Sequence, residues 1–533
     1  MSTPAGNIPA AVDIGAFRPE PWDDDPSAVV AFQTAMRSAG YTVDVVHKLI
    51  GPTASAALGR NETTPAFVAL DASPATTAPG TTALTTMVRL WTLQGSVSLA
   101  GAESAFGFAL AALVESGILA VSGDDVQAAV DVRPYGDESH DGWVVSDLTP
   151  GLDGAVVRLG DEYVLGVNDA ATTLAGLTVR RHVSRALDLG TGSGIQTLHL
   201  CEHADTVVGT DINERALAMA RLSAALNELE VDWRLGSLLE PVAGELFDLV
   251  VSNPPFVLSP GSTDVSALTY RDSGSVGDAM VRGLVNGLPS VLAPGGVAQL
   301  LANWAHVEGE VWRDRVRAWV TAGDVEVDAW IVQRELLDPA AYIELWLKDA
   351  GVHGGPDYAE RYRSWLAWFA AERITAVGMG WIVLHRPVDP TVGLANLRVE
   401  ELNGPVSQPL GDAVARWMDA VDWLRVRGGS DGQLRDAYLI VADDVVAEQW
   451  SRPGATDPEH LVLRQQGTLQ RGVEIDTALA GFVGACDGEL TAGQIVDALA
   501  QLLELTPERA ATLQTEVLAS ARELLVSGFL RPA

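Results

Sequence analysis

The sequence predicts an α/β protein: a mostly parallel sheet covered by helices, with a helical, winged-helix-like module before it and an α+β module after it. Three observations carry this. Between residues 150 and 388, short apolar runs of strand type alternate with helical stretches. The first such run ends in the glycine-rich turn Asp188-Leu189-Gly190-Thr191-Gly192-Ser193-Gly194, and the fourth ends in Asn253-Pro254-Pro255-Phe256. Strand–helix alternation needs crossover connections, and these place helices on both faces of a parallel sheet.

At 533 residues the chain is too long for one ordinary core. The reading divides it into 1–150, 151–388 and 389–533. Residues 1 to about 70 read as helical, with Val29, Val30, Phe32 and Met36 in an apolar stripe. Asp71-Ala72-Ser73-Pro74-Ala75-Thr76-Thr77-Ala78-Pro79-Gly80 reads as a linker. Leu84, Met87, Val88 and Trp91 mark a first helix of the winged-helix-like unit. Ser98 to Phe108 marks a second, and Ala109 to Glu115 a third, stopped by Gly117. Ile118-Leu119-Ala120-Val121 and Val126 to Val132 flank Ser122-Gly123-Asp124-Asp125, the turn of a two-stranded wing.

In the central region the expected strands are Ala186–Leu189, Thr206–Thr210, Val231–Leu235, Phe247–Ser252, Val297–Leu301, Val325–Val332 and Trp381–His385. The last region ends in helical runs Thr491 to Leu505, Pro507 to Ser520 and Ala521 to Leu530. Leu524-Leu525-Val526-Ser527-Gly528-Phe529-Leu530 echoes the pattern of Leu113-Val114-Glu115-Ser116-Gly117-Ile118-Leu119. Both read as a helix stopped by glycine before a strand, which predicts a second winged-helix-like unit at the C-terminus.

Gly190, Gly192 and Gly194 allow a tight turn and close approach of a ligand to the backbone. In a nicotinamide enzyme the third glycine would fall one residue later, where Ile195 stands. The next strand ends in Val208-Gly209-Thr210-Asp211, so the Asp211 carboxylate faces the turn and can accept both hydroxyls of a ribose.

With these residues in register with Asn253-Pro254-Pro255-Phe256, the chain resembles class I S-adenosylmethionine-dependent methyltransferases, in the group that methylates amide or exocyclic amino nitrogens. Release-factor glutamine methyltransferases and small-domain ribosomal-RNA guanine-N2 methyltransferases share the motif. The resemblance covers about 160 to 305. It implies a seven-stranded sheet whose final strand is inserted antiparallel near the edge. It also implies S-adenosylmethionine as cofactor, held by Asp188, Gly190, Thr191, Gly192, Gly194 and Asp211. Ile212 would pack on the adenine, and Gly236, Ser237 and Leu238 would contact its edge. Gly166-Val167-Asn168 resembles a segment that closes over the cofactor, and Leu292-Ala293-Pro294-Gly295-Gly296 a turn before the fifth strand. Tyr270-Arg271-Asp272-Ser273-Gly274-Ser275-Val276-Gly277-Asp278 resembles a segment of the glutamine enzymes. Phe256 departs from the Tyr of the glutamine enzymes, and Val257 from the His of the guanine enzymes.

The delocalised lone pair of a planar nitrogen makes it a poor nucleophile, so the site must shape and aim it. The Asn253 side-chain carbonyl and the Pro254 backbone carbonyl can accept two N–H bonds, which draws density onto that nitrogen. Prolines stiffen the turn without adding a donor, and Phe256 offers an apolar face for a planar group.

The formal charge of −35 and only two lysines, Lys48 and Lys348, oppose generic phosphate binding. Residues 1–150 hold six Lys/Arg against seventeen Asp/Glu, so a winged helix there favours protein contact. A protein glutamine amide is thus favoured over a nucleobase as acceptor. The alternatives are a nucleobase methyltransferase and a non-catalytic cofactor-binding scaffold. Arg180, Arg181, Arg185 and Arg313, Arg315, Arg317 are the candidate basic patches. His182, His199, His203 and His385 show no ligand spacing, so no metal is expected. Cys201 and Cys486 form no disulfide or metal pattern, and the N-terminus has no signal-peptide pattern. No apolar run reaches the roughly 18 residues of a membrane span. A cytoplasmic setting is expected, and nothing specifies an oligomeric state. Trp365, Trp368 and Phe369, at helical spacing, read as core.

Overall fold

The computed structural model describes residues 17–72, 79–136, 141–154, 159–160, 162–260, 276–349, 355, 357–393, 395–428, 430–453 and 458–533. At its centre stands an eight-stranded sheet of β1 (Val183–Leu189), β2 (Ala204–Asp211), β3 (Asp232–Leu235), β4 (Phe247–Ser252), β5 (Leu292–Val307), β6 (Asp328–Leu337), β7 (Ile374–His385) and β8 (Leu397–Glu401). Their spatial order is β8-β6-β7-β5-β4-β1-β2-β3. Strand β7 runs antiparallel between β5 and β6, as the resemblance implies. The inner strands are apolar on both faces because helices cover both: Ala186, Leu187, Leu249 and Val250 are all buried.

Among the helices of this region are α1 (Asp169–Leu177), α2 (Ile195–Leu200), α3 (Glu214–Leu226), α4 (Ala279–Gly287), α5 (Trp312–Thr321), α6 (Pro339–Asp349), α7 (Tyr358–Ala371) and α8 (Gly411–Trp423). Asn168 and Asn213 start α1 and α3 by accepting the N–H groups of Ala171 and Arg215. From β1 the chain winds outward through β2 and β3, then returns to place β4 on the other side of β1. This reversal opens a crevice at the carboxyl ends of β1 and β4. The glycine turn follows β1 and Asn253 follows β4, so both motifs face it.

The sheet departs from the expected seven strands. The extra strand, β8, pairs parallel with β6 and lies beyond the expected boundary at 388. Strand β6 starts at Asp328 rather than Val325, and β5 and β7 run well past the expected lengths. They extend beyond the crevice as a long antiparallel pair, with Asn303 opposite Met379 and His306 opposite Ala376.

Residues 79–128 have the helix–strand–helix–helix–strand–strand order of a winged helix, with strand 125–128 between strands 96–98 and 119–122. Phe32, Tyr41, Trp91 and Phe106 pack ring to ring in the core that joins this unit to the preceding helices. Residues 73–78 of the linker lie outside the described residues. A hairpin follows, Asp131–Gly136 with Asp141–Ser146, and it grips the C-terminal half of α3. Trp143 and Asn227 exchange two hydrogen bonds, of 3.0 and 2.8 Å. The Val145 N–H donates to Ser223 Oγ, and Gln33 donates to the last carbonyls of α3.

At the C-terminus, residues 477–532 run helix, strand, helix, helix, strand. Their three-stranded sheet takes its middle strand, Tyr438–Val441, from upstream, whereas the N-terminal unit takes it from downstream. The two modules are thus permuted versions of one plan. The runs expected as two helices after Pro507 form one, Pro507–Val526, because neither glycine nor proline interrupts them before Gly528. Gly117 and Gly528, at φ of 76° and 79°, end the matching helices.

Buried ion pairs fasten the C-terminal region to the sheet edge. Arg471 pairs with Glu400 of β8, and Arg425 lies 3.0 Å from both Asp328 and Glu326. The Arg425 and Asp328 side chains are 3% and 1% exposed. Removing Arg425 strands the buried Asp328 carboxylate, a change that typically costs about 3–5 kcal/mol. Arg425→Ala is therefore expected to lower the melting temperature strongly; a melting curve unchanged by the substitution would contradict this account.

Candidate functional site

The turn after β1 is built by hydrogen bonds to the end of β2. Gly190 and Thr191 N–H groups both donate to the Thr210 carbonyl at 2.9 Å. The Gly192 N–H donates to Asp211 Oδ2, and the Asn213 N–H to Asp211 Oδ1, each at 2.9 Å. Asp211 thereby fixes the turn while each oxygen keeps a lone pair for a ligand. Burial holds its carboxyl above the usual range. Gly192 and Gly194 sit at φ of 55° and 89°. These left-handed conformations strain any residue with a Cβ, so glycine is what lets the turn close before α2.

Asp188 lies beneath the turn rather than on the cavity wall. Its Oδ2 accepts from Thr191 Oγ1, Thr197 Oγ1 and the Thr197 N–H at 2.7, 2.7 and 3.0 Å. Its Oδ1 is buried without a partner. Burial pushes this carboxyl from 3.8 up to about 6 despite those bonds. A raised acid pKa means that the fold favours the protonated form. Stability is therefore full below pH 3.8 and is lost as pH rises through about 6. Asp188→Asn is expected to raise the melting temperature of the ligand-free chain at pH 7.5 and to leave it nearly unchanged at acid pH. A lower melting temperature at pH 7.5 would contradict this.

The crevice holds a cavity of about 440 Å³. Gly190, Thr191, Gly192, Asp211, Ile212, Gly236, Ser237, Leu238, Asn253 and Pro254 line it. Gly194 starts α2 behind the wall, as Asp188 lies behind it. The Asn253 side-chain oxygen is buried and has no hydrogen-bond partner. Phe256 departs from its expected role. Its ring sits 6.0 Å from that of Trp346 of α6, edge to face, and is absent from the cavity lining, because the chain after the prolines turns toward α6.

Sequence reasoning missed part of the wall. Tyr163, Val164 and Leu165 line it together with the expected Gly166 and Asn168. Val167 packs instead against a small cluster that includes Ile195 and Leu198. The Val164 N–H and carbonyl bond Asp147, which in turn pairs with Arg215 of α3. Met280 and Leu284 of α4 close the far side. Of the segment 270–278 that resembles one of the glutamine enzymes, 270–275 lie outside the described residues. Asp278 is structural: it pairs with Arg315 and accepts the Ala305 N–H at 3.0 Å.

The candidate basic patches are neutralised. Arg181 pairs with Asp419, Arg185 with Glu245, Arg313 with Glu401, Arg315 with Asp278, Arg317 with Asp314 and Arg180 with Glu202. Among the described residues no group of three His, Cys, Asp or Glu could hold a metal, and no helix is long and apolar enough to cross a membrane.

Residues 163–269, which contain the glycine turn, Asp211 and Asn253, match the methyltransferase small domain. The candidate site lies within that match. Residues 38–129 and 415–532 match two domains of unknown function, DUF7059 and DUF7782. Over 125 residues the chain is 35% identical to the release factor glutamine methyltransferase of Geobacter sulfurreducens, covering 22% of this chain and 44% of that protein. Over 119 residues it is 31% identical to ribosomal RNA small subunit methyltransferase C of Alcanivorax borkumensis, covering 22% of this chain and 32% of that protein. The chain thus spans less than half the length of these relatives. A solved 16S rRNA N2 methyltransferase from T. thermophilus, in complex with AdoMet and guanosine, aligns with a TM-score of 0.23 at 19% identity, over 42% of this chain and 61% of that one. The matched region carries both halves of the crevice, and Met280 and Leu284, which follow it in the chain, complete the wall.

Proposed function

We propose that the chain transfers a methyl group from S-adenosylmethionine to a planar N–H nitrogen, with a protein glutamine amide as acceptor. The observation that carries this reading is the buried, unpartnered Asn253 oxygen, on a wall shared with the glycine turn and Asp211. A buried acceptor without a donor is costly unless a ligand supplies one, and an amide N–H does so. When bound, the cofactor supplies an electrophilic methyl on a sulfonium. Asp211 would take its ribose hydroxyls, and Asp188, buried beneath the turn, would brace the glycine turn through Thr191 and Thr197. Asn253 accepts one N–H of the acceptor and orients its nitrogen for in-line displacement. Bond formation between nitrogen and methyl would break the methyl–sulfur bond and leave a neutral thioether, and the proton of the methylated nitrogen would pass to solvent.

The paired arginines and the charge of −35 favour a protein over RNA. The relatives include both kinds of enzyme, so a nucleobase amine is the second reading. The open cavity beside Asn253 weighs against a scaffold with a closed pocket, and a cytoplasmic setting fits an acceptor of the translation apparatus. Tritiated methyl labelling of a cell extract, followed by separate protease and nuclease digestion, tests the assignment. Label released by protease supports the proposal; label released only by nuclease replaces the acceptor; no label removes the activity.

A further inference from the structure

The turn that presents Asn253 is held from outside the methyltransferase small domain. After Ser252 the chain passes through Pro254 and Pro255, which have no N–H to donate. Among the described residues, the first backbone N–H after Ser252 that donates a hydrogen bond is that of Leu258. Its acceptor is the hydroxyl of Tyr342 on α6, at 2.9 Å. The Asn303 side-chain amide of β5 donates to the same oxygen at 3.0 Å. Tyr342 and Leu258 are fully buried and Asn303 is 2% exposed, so water cannot replace these bonds. Four residues further along α6, on the same helical face, Trp346 packs its ring against Phe256. Helix α6 belongs to the connection between β6 and β7, and it grips the turn at two points.

We infer that Tyr342 is a positioning residue for the acceptor site: through Leu258 it fixes the turn that aims the Asn253 carbonyl. Its catalytic consequence rests on the methyl-transfer reading; the anchoring does not. Displacing a reacting group by about 1 Å can cost on the order of 100-fold in rate. Tyr342→Phe keeps the ring and its packing but leaves two buried donors unpaired.

The test compares the full chain with its Tyr342→Phe variant. Amide hydrogen exchange over 253–259 is expected to accelerate about tenfold or more, while exchange over 188–194 stays unchanged. Affinity for S-adenosylhomocysteine should stay within about twofold, and the initial rate of tritiated methyl transfer to extract protein should fall about tenfold or more. A merely structural tyrosine would not separate transfer from cofactor affinity. Unchanged exchange over 253–259 overturns the anchoring. Accelerated exchange with full transfer rate overturns the positioning role. No transfer by the unaltered chain defeats the methyl-transfer reading, and the exchange measurement still decides the anchor. If Tyr342→Phe does not fold, Asn303→Ala, which removes one of the two donors, is expected to shift both readouts in the same direction by less.

Discussion

Asn253→Ala is expected to bind S-adenosylmethionine within about twofold of the unaltered chain and to lose methyl transfer by a factor of roughly 100–1000, the usual scale for deleting one preorganised polar group. The split follows from where the oxygen sits. It is buried and unpartnered in the ligand-free chain, so its removal breaks no internal bond and opens only a small gap. Asp211, the glycine turn and the Gly236 loop keep their mutual contacts. What disappears is the acceptor that aligns the nucleophile, which acts on the transfer step. Calorimetry with the cofactor and a single-turnover rate measure the two halves separately. A variant that still transfers at the original rate would mean that another group orients the acceptor.

Asp211→Ala is expected to abolish detectable cofactor binding. Hydrogen bonds to a charged acceptor contribute about 1.5–3 kcal/mol each, so losing two ribose contacts weakens affinity by roughly 100-fold or more. The carboxylate also accepts the N–H groups of Gly192 and Asn213, so its removal loosens the turn that forms the opposite wall. Asp211→Asn should fare little better, because its NH₂ would face one of those N–H donors. Calorimetric titration settles the point, and affinity retained within tenfold in the alanine variant would move the ribose contact elsewhere.

The parts of the fold legible in the sequence are those whose surroundings are repetitive. Strands β1, β2 and β4 sit between neighbours and under helices on both faces, so burial alone dictates an apolar run such as Leu249-Val250-Val251. Strand β8 was hidden because it is an edge: in Leu397-Arg398-Val399-Glu400-Glu401 only Val399 is buried, and Glu400 is explained by Arg471, seventy-one residues away. The glycine turn and Asp211 could be read because only one helix and one strand lie between the turn and the end of β2, and hydrogen bonds join the two. The Tyr163–Leu165 wall and the Met280 side could not, since chain segments far apart meet there. Phe256 misled for a related reason. Its partner, Trp346, lies ninety residues on, and no pattern ties the two together; of the three aromatics read as core, Phe369 is buried at 1% exposure while Trp365 and Trp368 are half-buried.

Helix α3 has one end in the hairpin that follows the winged helix and, in Ala216, a residue on the cavity wall. The same hairpin leads through Asp147 to Val164 on that wall. The crevice and the N-terminal hairpin therefore lean on the same helix and on the same 147–164 connection, so neither can be rebuilt without regard to the other.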